Sequence, residues 1–191
     1  MPCGYGTAEN LLTRAGVAQG ERVLITGASG NVGIAAVQLA KLGGAAVIGV
    51  VARERCDAMR ALGTDRCLAR TEPLIDALGA NSVDVVIDVV GGPQWPDLLQ
   101  VLKPRGRYAV SGAIAGPMVA LDLRPLYLKD LTLFGCTDQE APVFQNLVAY
   151  LNRGALVPLV SKTYALRDIV AAQEEFLSKR QLGKIVLIPP K

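Results

Sequence analysis

The chain has 191 residues, 51% of them apolar, with 20 basic against 17 acidic side chains; that near-balance excludes a dedicated nucleic-acid or membrane-surface protein and leaves enough apolar material for one full-sized core and an appendage. It contains no histidine, which removes the commonest acid/base at neutral pH and the commonest zinc ligand from anything the chain does by itself. The cysteines, at positions 3, 56, 67 and 136, form neither a C-x-x-C pair nor a framework spacing, so free thiols in a reducing cytoplasmic setting are expected.

The chain opens without a basic stretch followed by an apolar run, and an apolar run such as VDVVIDVV (83–90) carries Asp and is far too short to span a bilayer. Cys3-Gly-Tyr-Gly-Thr7 reads as a turn, and AENLLTRAGV as a helix that completes a lead-in over residues 1–20. RVLIT (22–26) is strand 1, a short apolar run bounded by a glycine-rich turn. NVGIAAVQLAKLGG is a helix, with Lys41 suited to the negative end of the dipole and Gly43-Gly44 as the stop. AAVIGVV (45–51) is strand 2, and RCDAMRAL a helix closing at Gly63. DRCLA is a weak strand 3, PLIDALG a short helix, and VDVVIDVV strand 4, apolar on both faces as a central parallel strand requires. PDLLQVL is a helix, GRYAVSG strand 5 and LTLFGC (131–136) strand 6. The basic run of Arg53, Arg55, Arg60, Arg66 and Arg70 is interleaved with Glu54, Asp57 and Asp65 and reads mostly as a solvated face.

Six short strands alternating with helices predict an α/β fold, a doubly wound parallel Rossmann sheet over residues 21–140. From residue 141 to 191 the rhythm changes to an α+β extension: an amphipathic helix in APVFQNLVAYLNRG, a strand in VSKTYAL, a helix in RDIVAAQEEFLSKRQLG and a last strand in KIVLIP. These late strands would carry unpaired edges by themselves, and they read as built to join a second layer.

The strongest local signal is LITGASGNVGIAAVQLA, in which strand 1 runs into Gly27-Ala28-Ser29-Gly30-Asn31-Val32-Gly33 and then a helix. Gly30 lets backbone approach a pyrophosphate, Gly33 lets the helix pack closely on the strand, and the exposed N–H groups and dipole favour the anion. No acidic residue lies between Gly27 and Lys41. At the end of strand 2, Val51 and Ala52 stand where an acid would hold a ribose 2′-OH, and Arg53 and Arg55 follow, with Glu54 between them. Forked, charge-assisted hydrogen bonds from two arginines suit a 2′-phosphate, so NADP(H) is expected over NAD(H).

The loop also fits the T-G-x-x-G-x-x-G turn of short-chain dehydrogenases, but none of the tyrosines at 5, 108, 127, 150 and 164 has a lysine four residues later. The chain instead resembles the medium-chain dehydrogenase/reductase family, in particular the cofactor domain and C-terminal segment of zinc-type alcohol dehydrogenases and quinone oxidoreductases. The resemblance runs through GVAQGERVLITGASGNVGIAAVQLAKLGGAAVIGV, VDVVIDVVGG, LLQVLKPRGRYAVSGAIAG, LYLKDLTLFGCT and LGKIVLIP.

That resemblance implies an NADPH-dependent oxidoreductase that passes hydride between nicotinamide and an alcohol or carbonyl. The chain would be a cofactor half without the barrel-like catalytic domain, and no catalytic residue is expected in it. Cys3, spaced Cys-x-x-x-Thr before Thr7, matches the third ligand of a catalytic zinc whose other ligands would lie in that domain. Thr7, then Val89, Val90 and Gly91, Ser111, Gly112 and Ala113, and Phe134, Gly135 and Cys136 would line the nicotinamide and its ribose. Asp88 and Trp95 read as structural residues. The alternatives are a zinc-free quinone or enone reductase, or a nucleotide-binding module without catalysis. In this family strand 6 pairs with itself across a twofold axis, so a homodimer through residues 131–136 is expected, with a small-molecule substrate as the other partner.

Overall fold

The structure, a computed structural model, describes residues 2–178 and 180–190. Its elements are α1 (Pro2–Arg14), β1 (Arg22–Thr26), α2 (Asn31–Leu42), β2 (Ala46–Val51), α3 (Cys56–Ala61), β3 (Arg66–Ala69), α4 (Leu74–Leu78), β4 (Val83–Asp88), α5 (Trp95–Val101), β5 (Leu102–Val110), α6 (Leu123–Leu128), β6 (Thr132–Gly135), α7 (Ala141–Asn152), β7 (Val160–Ala165), α8 (Ile169–Leu177) and β8 (Lys184–Ile188). No helix among the described residues is long and apolar enough to cross a membrane.

Six strands form one parallel sheet in the order β3-β2-β1-β4-β5-β6. The chain order reverses on either side of β1, which opens a crevice beyond the carboxyl ends of β1 and β4. Side chains alternate between the two faces of the sheet. Val23, Ile25, Val47, Val85 and Ile87 pack with Leu11, Ile34 and Val37 of α1 and α2 on one face. On the other, Leu24, Ile48, Val86 and Tyr108 meet Leu74, Leu98 and Leu102. Both faces are therefore dry, and the strands read as unbroken apolar runs for that reason.

Four expectations are corrected. The segment around Cys3 is not a turn: α1 starts at Pro2, a residue pre-set for a first helical position. Gly4 and Gly6 serve close packing there, since a Cβ on Gly4 would lie 3.3 Å from the Asn31 carbonyl oxygen and one on Gly6 3.1 Å from Gln139 Cδ. β5 begins at Leu102, paired with Val83, rather than at Gly106. An unforeseen helix, α6, lies between β5 and β6, started by the Asp122 side chain accepting from the Arg124 N–H. Lys129, just beyond it, donates to the carbonyl oxygens of Leu99, Gln100 and Leu102 at 3.2, 2.8 and 3.0 Å and so closes the end of α5. Lastly, Cys56 and Cys67 are not free: they are joined as a disulfide with Cα atoms 5.5 Å apart, because α3 folds back onto β3.

The late strands β7 and β8 pair with each other in parallel across α8, giving a second, two-stranded sheet. α8 spans Ile169–Leu177 after a 3₁₀ turn at Leu166–Asp168, shorter than the sequence pattern suggests. Lys179, placed in that helix by the sequence, lies outside the described residues.

Candidate functional site

The site grows out of the turn between β1 and α2. Gly27 has φ +57°, a left-handed conformation that favours glycine, and its carbonyl oxygen accepts from the Gly30 N–H at 2.9 Å. Gly30 then enters α2 in extended conformation with no side chain capping the helix and no acid in its first turn. The first-turn N–H groups and the positive end of the helix dipole are thus left for an anion. Gly33 sits against this turn: a Cβ there would press on the Gly27 carbonyl oxygen and lie 2.6 Å from Ala28 Cα.

Around this turn is a cleft of about 840 Å³. Its centre is Gly27, Ser29, Gly30 and Asn31; one flank, from the ends of β2 and β3, carries Arg55, Arg70 and Glu54; the other, after β4, carries Val90, Gly91 and Gln94. The C-terminal segment closes the cleft with Phe176, Leu177, Gln181 and Gly183. Arg55 Nη2 donates to the Arg180 carbonyl oxygen at 2.6 Å, tying that segment to the end of β2. Lys184, at the start of β8, brings Nζ within 3.4 Å of the point a Gly4 Cβ would occupy, beside the Asn31 carbonyl oxygen.

The remaining residues singled out by sequence lie around the cleft rather than on its wall. Ala28 is buried beneath the turn, and Val32 and Val89 pack onto the core. Arg53 is exposed and paired with Glu72 at 3.2 Å. Ser111 donates its N–H to the Asp88 carbonyl oxygen at 3.0 Å. Gly112 and Ala113 back the β4 loop, where a Cβ on Gly112 would meet the Val89 carbonyl oxygen at 2.6 Å and one on Gly91 would meet Ala113 Cα at 3.1 Å. Phe134 is half-buried against the core, Gly135 accepts from Arg14 Nη1 at 2.7 Å, and Cys136 is buried, which pushes its thiol pKa up. Thr7 is half-buried on α1 and Cys3 is exposed. No group of three or more His, Cys, Asp or Glu that could hold a metal exists among the described residues.

Sequence reasoning did not single out Arg70, Lys184, Thr26 or the α8 residues. Arg70 had a signal, since it directly follows β3 as Ala52 follows β2, at the carboxyl ends where such sheets bind ligands; its charge was absorbed into an interleaved run. Thr26 stands directly before the turn, inside the motif itself, but was read only as the end of strand 1; Lys184 and the α8 residues meet the turn from distant parts of the chain, with no local pattern to announce them.

The family described as zinc-binding dehydrogenase matches residues 31–153. Among curated proteins the chain is similar to the acryloyl-coenzyme A reductase of Metallosphaera sedula, 32% identical over 98% of this chain and 56% of that protein. Thus the chain spans a little over half the length of this relative. Among solved structures it superposes on a putative alcohol dehydrogenase from Sinorhizobium meliloti 1021 with a TM-score of 0.90 and 42% identity, covering 100% of this chain and 54% of that one. A 2-octenoyl-CoA carboxylase reductase, CinF, solved with NADP and 2-octenoyl-CoA, gives a TM-score of 0.87 at 28% identity over 98% of this chain and 48% of that one.

Proposed function

Since the chain belongs to the zinc-type alcohol dehydrogenase and quinone oxidoreductase branch of the medium-chain dehydrogenase/reductase family, we propose that it is the NADPH-binding half of an oxidoreductase. The reaction would transfer hydride between nicotinamide and an alcohol or carbonyl carbon. When bound, the cofactor supplies the hydride. The residues here bind and orient it: the α2 N-terminus takes the pyrophosphate, and the flanks of the cleft take the two nucleosides on either side of the reversal in strand order.

The observation that carries the NADPH reading is the β2/β3 flank. Arg55 and Arg70 share it with Glu54, and Val51 and Ala52 offer no carboxylate at the strand end. Two guanidiniums against one carboxylate favour a 2′-phosphate, and Arg70 takes the place first assigned to Arg53. Cys3 by itself does not make a zinc site; as one thiolate it is suited to join ligands supplied from elsewhere. A homodimer through residues 131–136 is part of the same reading, supported by the outer edge of β6, which pairs with no other strand among the described residues.

Calorimetric titration of the chain with NADPH and with NADH tests the assignment. NADPH should bind at least about tenfold more tightly, a difference of roughly 1.4 kcal/mol, and Arg70→Ala should erase most of that preference. Equal affinities, or a preference for NADH, would overturn the 2′-phosphate assignment; binding of neither would overturn the cofactor reading of this chain.

A further inference from the structure

Beneath the cleft, and reaching its wall at Thr26, Val90 and Gly91, lies a polar cluster built on a buried carboxylate. Asp88, the last residue of β4, is fully buried, and four donors face its carboxylate. Oδ1 accepts from the Thr26 hydroxyl at 2.5 Å and from the N–H groups of Val90 and Gly91 at 2.9 and 3.0 Å. Oδ2 accepts from the Tyr108 hydroxyl. Burial, then the Asp88 charge, holds the Tyr108 phenol far above its ordinary pKa, so it remains a donor. Thr26 Oγ1 in turn accepts from the Val89 N–H at 3.1 Å. Three consecutive N–H groups of the β4 loop therefore end on one buried pair, Thr26 and Asp88.

The two oxygens do different work. The Oδ1 side faces the loop that carries Val90 and Gly91 on the cleft wall. That loop also rests on the phosphate turn: a Cβ on Gly27 would lie 2.8 Å from Val90 Cγ2 and 3.3 Å from Val89 Cγ2. The Oδ2 side faces away, to Tyr108, whose ring meets Trp95 edge-on with centroids 4.8 Å apart inside the core. Buried N–H groups left without an acceptor are strongly disfavoured, so a loop held in this way has one conformation as long as its acceptor stays in place.

We propose that Asp88, acting with Thr26, is a positioning residue that fixes the β4 loop against the Gly27 turn and thereby sets the shape of the cofactor cleft, while its second oxygen only stabilises the core through Tyr108. This rests on the cleft being the NADPH site. The proposal separates affinity from stability, which an ordinary buried polar residue would not do.

The test measures NADPH affinity and thermal unfolding for the wild-type chain, Asp88→Ala, Asp88→Asn, Thr26→Val and Tyr108→Phe. Asp88→Ala and Thr26→Val should weaken NADPH binding by about tenfold or more, the loss of roughly one buried hydrogen bond. Asp88→Asn should recover most of the affinity, because its amide oxygen can face the loop while its NH₂ group faces Tyr108, whose hydroxyl can also accept. Tyr108→Phe should lower the melting temperature yet bind NADPH within about twofold of wild type. The positioning role is overturned if Thr26→Val binds as wild type does, or if affinity falls in proportion to stability across the set, Tyr108→Phe included. Should Asp88→Ala fail to fold, Thr26→Val and Tyr108→Phe still decide between the two roles. A wild-type chain that does not bind NADPH defeats the functional reading instead, a result distinct from either of these.

Discussion

The parallel sheet and the C-terminal segment are built from sequence of similar apolar proportion but use it differently. In the sheet, residues such as Leu24, Ile25 and Ile87 are fully buried, as is Leu98 on the covering helix α5, and helices cover both faces. From residue 141 onward, Val143, Leu147, Leu156 and Ala172 are the buried apolar residues, whereas Phe144, Val157, Val160, Val170, Phe176 and Leu177 are exposed. An unfilled apolar surface of this kind marks a place where something else packs. The difference teaches that the apolar core of the sheet is closed on both faces, while that of the C-terminal segment is left open. The anion turn is complete within the sheet, but the cover of the cleft comes from the open segment.

The largest expected effect breaks the comparison directly. Leu98→Ala, in the core between α5 and the sheet, should cost about 2–5 kcal/mol through lost burial and the cavity left behind. Val157→Ser, at a residue 70% exposed, should change stability by no more than about 0.5 kcal/mol. Urea melts of both variants measure this. A Val157→Ser cost close to that of Leu98→Ala would mean that the C-terminal segment is part of the same cooperative core.

Next in size is Gly33→Ala, which probes the joint between fold and site. The atoms a Cβ would meet there are backbone, at Gly27 and Ala28, so the clash cannot be relieved by turning a side chain. Overpacking of this kind costs about 1–3 kcal/mol. Because the displaced atoms are the anion turn itself, NADPH binding should be lost even where the protein remains folded, a combination read from a melt and a titration of the same sample. Retained affinity would detach the turn from cofactor binding.

These contrasts also explain what could be read from sequence. Strands β1, β2 and β4 were legible because burial on both faces demands continuous apolar runs, and the turn was legible because a positive φ at Gly27 and a close contact at Gly33 leave few residue choices. Helix α6 was not, because Leu123, Tyr127 and Leu128 are exposed and produce no inward-facing period. The Cys56–Cys67 bridge was hidden for another reason: its spacing matches no motif, and only the return of α3 onto β3 brings the thiols together. Asp88 was noticed as a polar residue in an apolar strand, but its partners Thr26 and Tyr108 lie 62 and 20 residues away. Arg53 and Arg55 were equivalent in sequence, and the 3₁₀ turn that carries them sends one to Glu72 and the other to the cleft.

The smallest effect compares one carboxylate in each region. Asp84, between β1 and β5, is mostly buried; burial works to raise its pKa, but hydrogen bonds from Lys103 at 2.7 Å and the Arg22 N–H at 2.8 Å outweigh it and hold the carboxyl below its ordinary value. Glu175, between Lys162 and Tyr164 on the exposed segment, is also lowered, first by the hydrogen bond from Lys162 and then by that from Tyr164. A depressed folded pKa gives stability that is fully present above the unfolded value and is lost as pH falls through the folded one. The Asp84 contribution, on the order of 1 kcal/mol for a partly screened pair, should therefore fade below about pH 5. Asp84→Asn should flatten that acid limb in urea melts, starting from a lower stability at neutral pH. Glu175→Gln should flatten the acid limb of the same melts less, since a pair on the loosely packed segment adds little to the cooperative unfolding of the sheet. Equal flattening by both substitutions would show that the segment from β7 to β8 unfolds with the sheet, and the division between a closed and an open region would have to be given up.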